Sequence, residues 1–277
     1  MFRSFCGGFP LFVVLAATAA HAQDDPDEAW KNLVLQGTYY AVDKHDYPRA
    51  EEVFQKALHE ASRFGPSDVR VGATLNKLGL LYHDAKKLGE AESAFRRALP
   101  ILDDVYGVES IDAANINYNL ASVLIDQGKQ PAALPFLHES LTTYERQFGP
   151  NSLKTASVLC MIGDSYRAQR AWQQAEQPLK RCAEIREADG GVVNAELGDA
   201  LNSLALVYHR EGKYALADPM FKLAERIRER TLGITNPALA ETLEAHATLL
   251  KELGRDQEAG RDAKLAAAIR RVESKGK

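Results

Sequence analysis

The sequence predicts an all-α fold, a right-handed α-solenoid of six stacked helix-turn-helix hairpins. Three observations predict it. Small residues recur every 42 positions at Gly79, Ala121, Gly163, Ala205 and Ala247, in the similar settings LGLLY, LASVL, IGDSY, LALVY and HATLL. Gly107, Gly149, Gly191 and Gly233 keep the same spacing one segment later. The apolar residues between them follow the spacing of a helix face, as in Leu75, Leu78, Gly79 and Tyr82, and not the alternation of a strand. A fixed period in this range marks stacked repeats that bury their apolar faces on one another.

Taken in order, residues 1–22 read as a cleaved signal peptide. Arg3 supplies the positive end, Pro10 to Ala20 an apolar stretch of 11, and Ala20-His21-Ala22 the small residues of a cleavage site. That stretch is shorter than the roughly 20 residues a membrane span requires, and no other long apolar run follows. Residues 23–29 form an acidic leader, read as solvated and as favouring the start of the first helix. Residues 30–272 form the solenoid, with repeats 30–65, 66–107, 108–149, 150–191, 192–233 and 234–272, followed by a charged tail at 273–277. The first copy, Tyr47, Ala50, Phe54, Ala57 and Leu58, lies 41 residues before Leu88, Ala91, Phe95, Ala98 and Leu99. Its second helix is therefore one residue shorter.

Within each repeat the columns define two facing helices. The small slot of the first helix faces Ala91, Ala133, Ala175, Ala217 and Ala259, 12 residues on. A third small column is Ala98, Ser140, Cys182, Ala224 and Ala266, and Phe95, Leu137, Leu179 and Phe221 fill between. Gly107 ends the second helix, where glycine takes a left-handed C′ conformation readily. Pro100 falls inside the second helix of repeat two and is expected to kink it or cost one backbone hydrogen bond; Pro135, Pro178 and Pro219 do so more gently. In repeat six, His246 replaces the apolar Leu78, Leu120, Ile162 and Leu204, and Asp256 replaces Trp172 and Tyr214. Polar changes in a last repeat read as a solubilising cap.

The small–small–aromatic pattern Gly79…Tyr82…Ala91…Phe95…Ala98 resembles the tetratricopeptide repeat, and the 42-residue period resembles the longer repeats of kinesin light chains. Repeat five carries the likeness best, in Leu201-Asn202-Ser203-Leu204-Ala205, Tyr208, Gly212-Lys213-Tyr214 and Leu232-Gly233-Ile234-Thr235-Asn236-Pro237. The resemblance implies that the first helices line a concave groove. On that basis Asn76, His83, Tyr118, Asn119, Arg167, Asn202, His209 and Arg210 are the candidate peptide-binding residues. Asn76 and Asn202 occupy equivalent slots, and a side-chain amide can pair with both the C=O and the N–H of an extended peptide. Arg167, Arg210 and His209 could read an acidic group and Tyr118 an apolar one. Groove charge is mixed, with Arg167, Arg210 and Lys251 offsetting Asp164, Glu244 and Glu252.

Catalytic motifs are absent: there is no G-x-S-x-G, phosphate loop, H-E-x-x-H or C-x-x-C. The histidines are scattered and read as ordinary surface or groove residues, so no metal or cofactor is expected. The net charge is −4, and −5 after loss of residues 1–22, which argues against a nucleic-acid partner. Cys160 and Cys182 could form one bridge, but the column-mates Ala98 and Ala224 favour Cys182 as a small, unbridged core residue. The expectation is a non-enzymatic scaffold of the bacterial periplasm that binds an extended segment of another exported or envelope protein, with no membrane span in the mature chain. The alternative is a structural subunit of an envelope assembly docking through helix edges or the convex face.

Overall fold

The computed structural model describes residues 26–190 and 194–275. The signal-peptide segment 1–22 and Gly191 lie outside the described residues. Twelve α-helices, and no strand, occur among those described: α1 Pro26–Val42, α2 Tyr47–Ser62, α3 Val69–Asp84, α4 Leu88–Tyr106, α5 Ile111–Asp126, α6 Gln130–Phe148, α7 Leu153–Ala168, α8 Trp172–Gly190, α9 Ala195–Arg210, α10 Tyr214–Leu232, α11 Pro237–Glu252 and α12 Asp256–Lys275. Two differences from the expected limits stand out. The first helix begins inside the acidic leader, at Pro26, and the last runs on through residues 273–275 of the expected tail. Among the described residues no helix is long and apolar enough to cross a membrane.

The chain divides into two compact units at a repeat boundary, one ending at Val108 and one starting at Glu109. In the first unit α1 pairs with α2, α3 pairs with α4, and α2 packs on α3. In the second, four hairpins follow the same rule: α5–α6, α7–α8, α9–α10 and α11–α12 pair, and each second helix packs on the next first helix. First helices of successive hairpins also touch within each unit, as α1 with α3 and α7 with α9.

Local chemistry sets both ends of each hairpin. A cap residue precedes every first helix from α3 onward: Asp68, Ser110, Ser152, Asn194 and Asn236, again 42 apart, each accepting from a backbone N–H of the opening turn. Such a cap contributes about 1 kcal/mol. The two helices of a hairpin then join through one residue with positive φ: His45, Lys86, Gly128, Arg170, Gly212 or Gly254. Glycine adopts that conformation at little cost, whereas an L side chain there is strained. Arg170→Gly is therefore expected to stabilise the second unit by about 0.5–1 kcal/mol, less than the full strain because glycine also loosens the unfolded chain; a urea midpoint that does not rise would contradict this. At the other end, Gly107 has φ 86 and ψ 150. It is not the left-handed helical conformation expected of it, but an extended region open essentially to glycine alone.

The small columns work as expected. Ala91, Ala133, Ala175, Ala217 and Ala259 are all fully buried, as are Phe95, Leu137, Leu179 and Phe221. A Cβ added at Gly79 would lie 2.6 Å from Phe95, and one at Gly163 only 2.4 Å from Leu179. Gly37 does the same for Phe54 in the first hairpin. The four internal prolines lie within α4, α6, α8 and α10, each of which runs on as one helix.

Two expectations fail. Cys160 on α7 and Cys182 on α8 are joined in a disulfide with Cα atoms 5.5 Å apart. The column-mates of Cys182 correctly indicated burial, but the two cysteines sit at facing levels of one antiparallel pair, well within bridging range. His246 is not part of a solubilising surface either: it is 2% exposed, because three acidic side chains surround it and satisfy its ring nitrogens.

Candidate functional site: the exposed face of the first helices

On α3, α5 and α11 the core-facing residues leave one stripe more open to solvent, whereas on α9 the equivalent Asn202, Ser203 and His209 are buried. On α3 it passes through Asn76, Lys77, Leu80 and Asp84; on α5 through Tyr118, Asn119, Ser122 and Asp126; on α11 through Glu244, Thr248, Lys251 and Glu252. These are the slots expected to line a groove, and the stripe arises because residues three and four apart share a helix face.

The candidate residues divide sharply by what they touch. Asn76 is half-buried, and its Oδ1 is buried without a hydrogen-bond partner. Asn202, its equivalent, is 8% exposed, and its Oδ1 is likewise unpartnered. His83 and Asn119 are half-buried. Tyr118 is half-buried too, its ring 6.4 Å from that of Tyr144. Burial pushes both phenols up, Tyr144 to about 12. Neither ionises near neutrality, so both remain neutral hydrogen-bonding groups.

Three residues expected to read an acidic ligand are placed differently. Arg167 Nε donates to Asp164 Oδ1 at 2.9 Å, and Ser203 Oγ donates to the same oxygen from α9 at 2.7 Å. The Arg167 charge is thus already matched inside the protein. His209 is 6% exposed rather than on an open wall, with Nε2 3.0 Å from Glu252 Oε2 on α11. Its Nδ1 is buried and unpartnered. Arg210 alone is exposed, lining an open cleft of about 550 Å³ with Trp172, Glu176 and Lys213 at the turn end of the hairpins.

A polar column escaped the sequence reading. Tyr144, Arg186 and Arg228 stand 42 apart on the second helices, and each reaches back 29 residues to its own first helix. Tyr144 Oη donates to Asn115 Oδ1 at 2.6 Å, Arg186 Nη2 to Ser157 Oγ at 3.1 Å, and Arg228 Nη2 to Asp199 Oδ1 at 2.7 Å. Arg228 also donates to the Ala238 carbonyl and to Thr242. These bonds tie each of these second helices to its own first helix. The signal was there to find, in the 42-residue spacing of the donors and the constant offset to their partners.

Comparison with known proteins agrees with this architecture. The chain matches the family model of the tetratricopeptide repeat over residues 31–104, 112–188 and 196–271. Among curated proteins it is 25% identical over 122 residues to a clustered mitochondria protein homolog of Meyerozyma guilliermondii. That match takes in 44% of this chain and 10% of the relative's length. Among solved structures it is similar to BtubC (BKLC) from P. vanneervenii, with TM-score 0.65, 24% identity, and coverage of 78% of this chain and 87% of that one. It is also similar to nearly identical TPR-like repeats of kinesin-light-chain type from Podosopora anserina, with TM-score 0.62, 17% identity, and coverage of 76% and 98%. A third similar structure is the apo quorum sensor NprR from B. thuringiensis, with TM-score 0.69, 17% identity, and coverage of 93% and 69%. At these identities the likeness speaks to fold.

Proposed function

The chain belongs to the tetratricopeptide repeat family, and from that footing we propose that it is a non-catalytic scaffold holding an extended segment of another exported protein against the exposed face of its first helices. One observation carries the reading. Asn76 and Asn202, in equivalent slots of two repeats, each keep an amide oxygen without a partner. A buried polar atom short of a hydrogen bond needs a reason, and a peptide N–H supplied by a ligand is one. The sequence reading in which Arg167, His209 and Arg210 together recognise an acidic group narrows to Arg210, since the other two are engaged within the protein.

Export to a periplasm belongs to the same proposal. Its support is the signal-like pattern of residues 1–22 and the Cys160–Cys182 bridge, since structural disulfides persist chiefly in oxidising compartments.

The test is affinity for a peptide selected on the wild-type chain from a displayed random library. Asn76→Ala or Asn202→Ala, whichever slot the peptide engages, is expected to weaken binding about 10-fold, as for one lost hydrogen bond of roughly 1–1.5 kcal/mol. Circular dichroism should show an unchanged helical spectrum. Peptides whose affinity ignores both substitutions but responds to changes on α6, α8 or α10 would move the site to the second helices and favour the docking alternative.

A further inference from the structure

Three apolar columns of the repeat change character at one place. His246 stands where Leu78, Leu120, Ile162 and Leu204 stand in earlier repeats. Glu225 occupies the column of Leu99, Leu141 and Ala183, and Asp262 that of Ala94, Phe136, Pro178 and Met220. The three lie on α11, α10 and α12, far apart in the chain, yet they converge. Nδ1 of His246 is 2.7 Å from Glu225 Oε1 and 3.1 Å from Asp262 Oδ2. All three donor atoms lie within 4.8 Å of one another. One buried aliphatic position and two half-buried apolar ones become ionisable together, each change carrying a desolvation cost.

The arrangement around the imidazole indicates a use for the group so formed. Its other nitrogen, Nε2, is 3.0 Å from Asp218 Oδ1. Asp218 is itself held by Lys222 at 2.9 Å and Arg255 at 2.7 Å, and the imidazole stacks on Phe221 with centroids 5.5 Å apart. A carboxylate fixing one ring nitrogen while the other points at acidic oxygens is how metal-binding histidines are oriented. Two carboxylates compete for the single position at Nδ1. Glu225 Oε1 and Asp262 Oδ2 both face that nitrogen, and a cation placed between them would be attracted by both carboxylates.

We propose that Nδ1 of His246, Oε1 of Glu225 and Oδ2 of Asp262 form a binding site for a zinc ion. One imidazole with two carboxylates suits zinc better than the all-oxygen shells preferred by magnesium and calcium. With zinc-to-ligand distances near 2.1 Å, neighbouring donors in a tetrahedron lie about 3.4 Å apart. The present separations of 2.7 and 3.1 Å open to that value by less than about 1 Å. Asp218 is the positioning residue, holding Nε2–H so that Nδ1 carries the lone pair. Any proton on Nδ1 would leave to solvent when zinc binds.

The experiment is equilibrium dialysis of the full chain, stripped with EDTA, against zinc chloride, with thermal melting in parallel. The wild type is expected to take up one zinc per chain and to melt higher with zinc present. His246→Leu, Glu225→Ala and Asp262→Met together restore the residues of the other repeats; this variant is expected to fold, bind no zinc at the site and melt at a zinc-independent temperature. Should it not fold, Glu225→Gln with Asp262→Asn serves in its place, with the same expected loss of uptake. Asp218→Asn is expected to weaken zinc binding about 10–100-fold while leaving its stoichiometry unchanged. Equal uptake by the wild type and the restored variant, or none by either, would overturn the proposal, as would magnesium or calcium displacing zinc at equal concentration.

Discussion

Phe95→Ala is expected to destabilise the first unit by about 3–5 kcal/mol, the cost of removing a fully buried phenyl ring and leaving its cavity. Phe95 has no solvent exposure, and its ring lies against Gly79 so closely that even a methyl group there would sit 2.6 Å away. The neighbouring helix backbone thus forms one wall of the ring's pocket and cannot move in to fill the space. The measurement is urea unfolding of the full chain in a Trp172→Phe background. Trp30 then becomes the sole tryptophan, and it reports on this unit because its indole N–H donates to Thr74 at 2.9 Å. Gly79→Ala is expected to cost less, about 1–3 kcal/mol from overpacking, and to be partly rescued by Phe95→Leu. A loss below about 1 kcal/mol for Phe95→Ala, or strict additivity of Gly79→Ala with Phe95→Leu, would mean that the ring does not fill that space in solution.

The second large effect is in the other unit. Breaking the Cys160–Cys182 bridge is expected to cost about 3 kcal/mol, the loop-closure entropy for residues 22 apart in the chain. Cys160→Ala with Cys182→Ala is the cleaner variant, since it leaves neither a lone thiol nor a buried hydroxyl, and reductant added to the wild type should reproduce most of the loss. Chemical denaturation followed by Trp172 in a Trp30→Phe background reads the change in the unit concerned. The mass of the unreduced protein should be two hydrogen atoms below that of the reduced form; two titratable thiols in the freshly purified protein would remove the basis of this prediction and one support of the export proposal.

The fold was largely legible because a solenoid writes its packing once per repeat. Columns such as Ala91 to Ala259 and Phe95 to Phe221 identify themselves by spacing alone, and each of these residues is buried. The cap column from Asp68 to Asn236 carried the same signal in polar residues and went unused, because polarity at a helix boundary reads as generic loop. What spacing could not convey was the meeting of different columns. Whether Cys160 faces Cys182 depends on the level at which two antiparallel helices cross, and the burial of His246 depends on acids from α10 and α12 arriving at the same point. The site was legible only in outline. The stripe itself follows from helix periodicity, but that Arg167 and His209 are occupied depends on Asp164 and Glu252, whose side-chain directions no linear pattern encodes.

The capping residues carry a consequence for how such a chain grows. The second, third and fifth hairpins each bring their own start signal at the front and their own glycine stop at the back, so an added or deleted copy of this kind would carry both signals to the seam. Length can then change in whole steps of 42 residues, each step offering one more pair of faces of the same kind. The polar residues on those faces are free to diverge from copy to copy, as they have here, without disturbing the frame that displays them.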